Sequence, residues 1–137
     1  MDQEKGLTLQ KKIEALGIEV SNPFTKVVEV EYNRFVKEAK GKAVPPQSMV
    51  RPLVEGDLRE IERCDGVVAM VTQHASVGTH MEVFYASRVL RRPVFVLYDF
   101  IFEGQSVHPW YAYLSKVFLE EDQLLAWLNL WSKYNDE

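Results

Sequence analysis

Hydrophobic and polar positions along this chain follow two periods, one typical of helices and one typical of buried strands. Apolar residues at positions 9, 13 and 16 have helical spacing, so residues 7–16 predict a first helix, with Gly17 as its C-terminal stop. Ile18–Val20 then predicts a short strand. Residues 27–40 predict a helix, although Val27, Val28 and Val30 would suit a strand equally well.

The middle of the chain changes from turn-forming residues to alternating short elements. Residues 41–52 include three prolines and a glycine and are predicted to be a loop. A short helix is predicted over residues 57–64, a strand over 67–71 and a helix over about 77–90.

The C-terminal part begins with a fully apolar run, Pro93–Tyr98, of the kind found in strands of buried parallel sheets. A loop through His108, Pro109 and Trp110 follows, and residues from about 121 to 134 predict a last helix. Strands that alternate with helices predict an α/β layer fold with a parallel sheet. At 137 residues the whole chain, 1–137, is predicted to be a single domain.

Composition argues against several classes of function. The net charge is −4 and the longest basic run is Arg91-Arg92, so nucleic acid is not an expected partner. The single cysteine, Cys64, excludes an intramolecular disulfide and a multi-cysteine zinc site. No apolar stretch is long enough to span a bilayer and the N-terminus lacks a signal-peptide pattern, so we expect a cytoplasmic protein without membrane contact.

The segment after the predicted strand 67–71 contains the most informative chemistry. A helix is predicted to begin near Ser76, and it contains one carboxylate, Glu82, among His80 and apolar residues. Open α/β sheets bind small molecules at the carboxyl ends of their strands, where helix N-termini offer free N–H groups. A lone acid at that place indicates a functional role, although Glu82 could also be a solvated helix position.

Three runs together resemble the nucleoside 2-deoxyribosyltransferase-like superfamily. They are Asp57-Leu-Arg-Glu-Ile-Glu-Arg-Cys-Asp65-Gly-Val-Val-Ala, Ser76-Val-Gly78-Thr-His-Met-Glu82-Val-Phe-Tyr-Ala86 and Arg92-Pro-Val-Phe-Val. The resemblance extends over roughly residues 7–130 and depends on the combination of an Asp, an apolar strand, Ser-x-Gly-x-x-x-Glu and a second strand. Val71-Thr-Gln73 is also similar to the branch that hydrolyses 2′-deoxynucleoside 5′-monophosphates. The implied fold is a flavodoxin/Rossmann-like three-layer αβα sandwich with a mostly parallel sheet.

The resemblance implies a function for four of these positions. In that family the helix glutamate, here Glu82, attacks C1′ of the sugar and forms a glycosyl-enzyme ester. The aspartate before the strand, here Asp57, holds or protonates the departing base. Phosphate-accepting hydrolases have a serine where Ser76 stands, and Gly78 lets the backbone approach the ligand. Apart from the resemblance, Trp110 could stack on a base, and His80 is a further predicted substrate contact.

The same residues also allow structural interpretations. Asp57 follows Glu55-Gly56 and could N-cap a short helix, and Ser76 could likewise be only an N-cap. His74, His80 and Glu82 lie close in sequence, but His-x-Glu without downstream cysteines is not the zinc deaminase signature, so no metal is predicted. Trp110 could simply pack the loop before the last helix.

One part of the family pattern is absent from this sequence. The family opens with a central strand whose loop contacts the sugar and phosphate, whereas this sequence starts directly at its first predicted helix. A rearranged sheet, a strand from a partner chain or a downstream start site would each explain this.

The implied activity is hydrolysis of the N-glycosidic bond of a (deoxy)nucleoside 5′-monophosphate, with no cofactor. Exchange of deoxyribose between bases is one alternative, and a nucleotide-binding module or inactive homologue is another. The expected ligand is a small-molecule nucleotide or nucleoside. Because family members generally oligomerise, a second copy of the chain in a homodimer is the expected protein partner.

Overall fold

The computed structural model describes residues 2–21, 34–40, 44–72, 77–98 and 106–135. Contacts between residues divide the chain into two compact units, Met1–Val20 with Asp65–Glu137, and Ser21–Cys64. The described elements, in chain order, are α1 (Asp2–Glu14), α2 (residues 34–39), α3 (Gln47–Arg63), β1 (Val67–Val71), α4 (Val77–Phe84), β2 (Val94–Tyr98), α5 (Pro109–Leu114), β3 (Lys116–Phe118) and α6 (Glu121–Asn135).

The first unit is built on a parallel sheet with the strand order β1-β2-β3. Strand β1 pairs with β2 from Val67 opposite Val94 to Val71 opposite Tyr98. On the other side of β2, Phe95 lies opposite Lys116 and Leu97 lies opposite Phe118. Four of the five residues of β2 are buried, as expected for a middle strand of a parallel sheet covered on both faces.

The main core lies on one face of this sheet. Successive strand residues point to opposite faces, and Phe95 and Leu97 share the face that helices α1 and α6 cover. The cluster consists of Leu9, Ile13, Phe95, Leu97, Phe118, Leu124 and Leu128. Full burial of one leucine stabilises the folded state by about 1.5–3 kcal/mol, so Leu124 and Leu128, both almost inaccessible, are major contributors.

The opposite face of the sheet is covered by the segment after β1. Val94 and Val96 are buried and alternate with Phe95 and Leu97, so they point to this second face. Helix α4 packs on β1, and the buried Val83 lies on it. The first unit therefore has helices on both faces of a parallel sheet, and the predicted α/β three-layer architecture is confirmed.

Helix α4 does not continue as a regular α-helix. Residues Tyr85–Val89 form a π-helical turn, in which the N–H of Leu90 donates to the carbonyl of Tyr85, five residues earlier. The chain then leaves the helix through Arg91, whose φ of 54° lies in the left-handed region. Gly17 ends the turn that follows α1, and its φ of 88° fits the predicted helix stop, but Arg91 is not a glycine and adopts such a conformation at a cost.

Replacing Arg91 with Gly should therefore raise the free energy of unfolding by about 1 kcal/mol, because glycine adopts positive φ without a steric penalty. Urea denaturation measures this change. Arg91→Ala is the matched control, since it removes the same charge and keeps the Cβ atom. Equal stabilisation by both substitutions would show that charge, and not backbone conformation, is responsible.

The second unit contains α2 and α3. Helix α3 begins at Gln47 after Pro46 and continues through Pro52 to Arg63. The half-buried residues of α3 are 49, 50, 53, 56–58, 60 and 61, and most of them share one side of the helix. Ser21 Oγ donates to the Glu60 carboxylate at 2.7 Å, and the Cys64 thiol donates to the Glu60 carbonyl at 3.1 Å.

Several predicted elements need correction. Ile18–Val20 is not a strand of the described sheet, although both its apolar residues pack against the main core. The loop predicted at 41–52 is helical from Gln47, so the predicted short helix at 57–64 is the second half of α3. The predicted loop before the last helix contains α5 and β3. Residues 34–39 of the predicted helix 27–40 are helical, and the preceding part lies outside the described residues.

Candidate active site

The candidate site lies where β1 and β2 end side by side. Val71 and Tyr98 are the last residues of these strands and lie opposite each other in the register. Helix α4 follows β1 and helix α5 follows β2, so both helices begin beyond the carboxyl edge of the sheet. This is the edge at which α/β proteins bind small molecules. Ser76, predicted to contact phosphate, lies outside the described residues.

Gly78 and Glu82 lie on the same edge of α4. They are four residues apart, a spacing that places two positions one above the other on a helix. Glu82 is half-buried and Gly78 is exposed in the first turn. The next residue, Val83, is only 1% exposed and anchors the helix, so the backbone at Glu82 is held in place. A nucleophile needs such a fixed position.

The side chain of His80 projects from α4 on the side opposite to Glu82. Residues two positions apart on an α-helix are separated by about 200° around the axis. The Nδ1 atom of His80 is hydrogen-bonded to the hydroxyl of Tyr111 on α5, and the two rings meet edge to face at 5.5 Å. Tyr111 in turn packs edge to face on Tyr98, at a centroid distance of 5.9 Å. These three side chains, His80, Tyr98 and Tyr111, form what we call the tyrosine cluster.

The hydroxyl of Tyr111 stays protonated throughout the neutral range. Burial of the side chain, with a smaller contribution from the nearby Tyr98, raises the pKa of Tyr111 from 10.0 to about 12. A neutral phenol can donate its proton to the Nδ1 lone pair of a neutral imidazole. In the part of the chain that the structure describes, His80 is the hydrogen-bond partner recorded for this hydroxyl.

Two further contacts join the α4 segment to α5. The Phe84 and Trp110 rings lie 6.3 Å apart, and Arg88 donates to the Tyr113 hydroxyl at 3.1 Å while lying over its ring. Trp110, Tyr113 and Arg88 are all exposed. Trp110, predicted as a possible base-stacking residue, is part of α5. It therefore contacts α4 on the side from which His80 projects.

Helix α5 begins with a strong local signal. His108 is the N-cap, its Nδ1 accepts from the N–H of Trp110 at 3.3 Å, and Pro109 occupies the first turn. This arrangement explains why the segment predicted as a loop is helical. It also places Tyr111 inside a helix, where its ring is buried and directed at His80.

Asp57 belongs to the second unit, where it lies well inside helix α3. The alternative that it N-caps a short helix is therefore wrong, because α3 starts ten residues earlier, at Gln47. Its Oδ1 atom is inaccessible to solvent and the side chain lies on the half-buried face of the helix. A shallow open groove runs along a different side of α3 and is lined by Gln47, Ser48, Arg51, Pro52, Glu55 and Arg59.

The sequence interpretation missed the two tyrosines of the cluster. Tyr98 could have been found as the residue that ends a buried parallel strand at the binding edge. Tyr111 could have been found through the His108-Pro109 helix start, which places it one turn into a helix. Among the described residues, no group of three or more His, Cys, Asp and Glu side chains is arranged to hold a metal ion.

Comparison with known proteins adds no relative. The chain matches no protein-family model. No curated protein is similar to it at a significant level. Within the described ranges, no helix is both long enough and apolar enough to cross a membrane.

Proposed function

We propose that this protein hydrolyses the N-glycosidic bond of a (deoxy)nucleoside 5′-monophosphate, with Glu82 as the nucleophile. The observation that supports this most is the placement of Glu82. It is a half-buried carboxylate on the helix that follows β1 at the carboxyl edge of a parallel sheet. Gly78 lies one turn earlier on the same edge, where the absence of a side chain leaves room for a ligand.

The proposed reaction has two steps. The Glu82 carboxylate forms a bond to C1′ as the bond between C1′ and the base nitrogen breaks, which gives a glycosyl ester and the free base. Water then attacks C1′, which releases the sugar 5-phosphate and regenerates the carboxylate, while the proton lost by the water passes to the group that protonated the base in the first step. A carboxylate suits both steps because the reacting carbon passes through an oxocarbenium-like state, which an adjacent anion stabilises.

The departing base needs a proton because a purine or pyrimidine anion is a poor leaving group. The family resemblance assigns this role to Asp57. General acid catalysis of this kind contributes roughly 10²–10⁴-fold to a rate. No metal ion or organic cofactor enters this scheme, since both steps need only carboxylates and water.

The proposed phosphate contact involves Ser76 and Gly78. A serine hydroxyl beside the N–H groups of a helix start can donate to a 5′-phosphate, whereas an aspartate there would repel it. The roles of His80 and Trp110 as substrate contacts stay predictions. Their position on the α5-facing side of α4 supports a different role, developed below.

A substrate panel tests the proposal. The purified protein is incubated with nucleosides and with their 5′-monophosphates, in ribose and deoxyribose forms, and free base is quantified by chromatography. We expect base release from monophosphates and not from nucleosides. Release that requires an added second base would support the transferase alternative. No release from any compound by a folded protein would contradict the proposal and favour a nucleotide-binding module.

The resemblance also leads us to propose a homodimer that works in the cytoplasm. Five large apolar side chains on α4 and α5 are exposed and available for such an interface: Val77, Met81, Phe84, Trp110 and Tyr113. The sequence contains one cysteine, Cys64, and so forms no intramolecular disulfide, which fits a reducing compartment. Sedimentation equilibrium of the purified protein tests the dimer directly.

A further inference from the structure

Helix α4 is too short to fix its own position. It has eight residues, and isolated helices below about 12–15 residues are marginal in water, so packing must hold it in place. Its C-terminal end runs into a π-helical turn, whose wider hydrogen-bonded rings depart from regular α-helical geometry. The buried Val83 holds the C-terminal half of α4, so the orientation of the whole helix, and with it the position of Glu82, also depends on what anchors its N-terminal half.

The His80–Tyr111 hydrogen bond is the best candidate for that anchor. Of the contacts described above between the α4 segment and α5, it is the one with a buried partner, since Tyr111 is only 7% exposed. His80 itself is exposed, so the bond is partly buried, and a hydrogen bond is stronger where the local dielectric is lower than that of water. Tyr111 also packs on Tyr98 at the end of β2, so the bond connects α4 to the sheet itself.

We propose that Tyr111 is a positioning residue that acts through His80 to hold helix α4, and thereby Glu82, in register with the carboxyl edge of the sheet. This inference rests on the proposed function, because it concerns the placement of the proposed nucleophile. His80 and Glu82 are on the same helix within one turn, so a shift of the anchored side moves the carboxylate as well. A misplacement of about 1 Å at a reacting group can lower a rate by 10²-fold.

The test is a substitution that removes only the hydroxyl oxygen of Tyr111. Tyr111→Phe keeps the ring that packs on Tyr98 and His80 and deletes the hydroxyl. With the monophosphate that the wild-type protein cleaves fastest, we expect kcat to fall about 10-fold or more and KM to stay within about 2-fold, since substrate binding is not altered. Tyr113→Phe is the matched control on the same helix, because it deletes an exposed hydroxyl that contacts Arg88. Its kcat should stay within about 2-fold of the wild type.

Two further variants separate positioning from a general structural effect. His80→Asn keeps a polar atom near the place of Nδ1 that can accept from Tyr111, whereas His80→Ala does not. We expect His80→Asn to retain more of the wild-type kcat than His80→Ala. Circular dichroism at the assay temperature ensures that all variants compared are folded.

Amide hydrogen exchange of α4 supplies a readout that does not need turnover. Loss of the anchor should speed exchange in residues 78–84 of Tyr111→Phe and leave Tyr113→Phe like the wild type. An unchanged kcat or an unchanged exchange rate in Tyr111→Phe would overturn the inference. If the wild-type protein cleaves no substrate, the proposed function fails, and the exchange comparison alone still decides whether Tyr111 anchors the helix.

Discussion

Replacing Glu82 with Gln should abolish base release from nucleoside monophosphates, with a loss of roughly 10⁴-fold or more in kcat. The amide has nearly the same shape as the carboxylate but is not a nucleophile, so the covalent step cannot occur. Release of free base, measured by chromatography at saturating substrate, gives the size of the loss.

The fold should survive this substitution, because Glu82 is half-buried at the helix surface and not part of the main core. Glu120→Gln is a suitable control, since it makes the same chemical change at an exposed residue before α6. A Glu82→Gln protein that keeps more than about one tenth of the wild-type kcat would contradict the nucleophile assignment, as would an equal loss in Glu120→Gln.

Truncating Leu128 to Ala should lower the free energy of unfolding by about 2–5 kcal/mol. Leu128 is 1% exposed and lies in the cluster that joins α1, α6 and strands β2 and β3. Removing three of its side-chain carbons loses their burial and leaves a cavity that the surrounding side chains fill only in part. Urea denaturation, followed by circular dichroism, measures the change.

Leu130→Ala on the same helix is the matched control. Its side chain is 52% exposed, so the same chemical change should alter stability by about 0.5 kcal/mol or less. Similar losses in both variants would contradict the position of the core on the inward face of α6.

The strongest sequence patterns correspond to the elements of the first unit. Strand β1 was predicted over the residues it occupies, and β2 was predicted one residue too early at its start, because both are continuous apolar runs that only a buried sheet accommodates. The last helix was predicted within a residue at each end, since its apolar positions repeat at helical spacing. Local pattern was sufficient in these cases because tertiary packing agrees with it.

The errors arose where local and tertiary preferences conflict. The prolines before Leu53 indicated a loop, yet α3 continues through Pro52, and the half-buried positions at helical spacing explain why. Helix α5 and strand β3 have only six and three residues, too few for a recognisable period. Such short elements are stabilised by the neighbours that they contact and not by their own sequence.

In the candidate site too, positions within one helix could be predicted, whereas contacts between distant residues could not. Gly78 and Glu82 could be placed on one helix edge from their spacing alone, and the structure has them there. The bond between His80 and Tyr111 joins residues 31 positions apart, and no local pattern predicts such a pair. The membership of His80 in the tyrosine cluster could therefore not be predicted, and its role as a substrate contact stays a prediction.

The proposed reaction requires that Glu82 forms a covalent bond to the sugar of a nucleoside monophosphate. The most direct measurement uses a 2′-deoxy-2′-fluoro-arabinonucleoside 5′-monophosphate, whose fluorine destabilises the oxocarbenium-like state and slows hydrolysis of the ester. After acid quenching, mass spectrometry of the protein and its peptides should show one fluorinated sugar phosphate on the peptide that contains Glu82. An unmodified Glu82 peptide in a protein that releases base from natural monophosphates would contradict the claim.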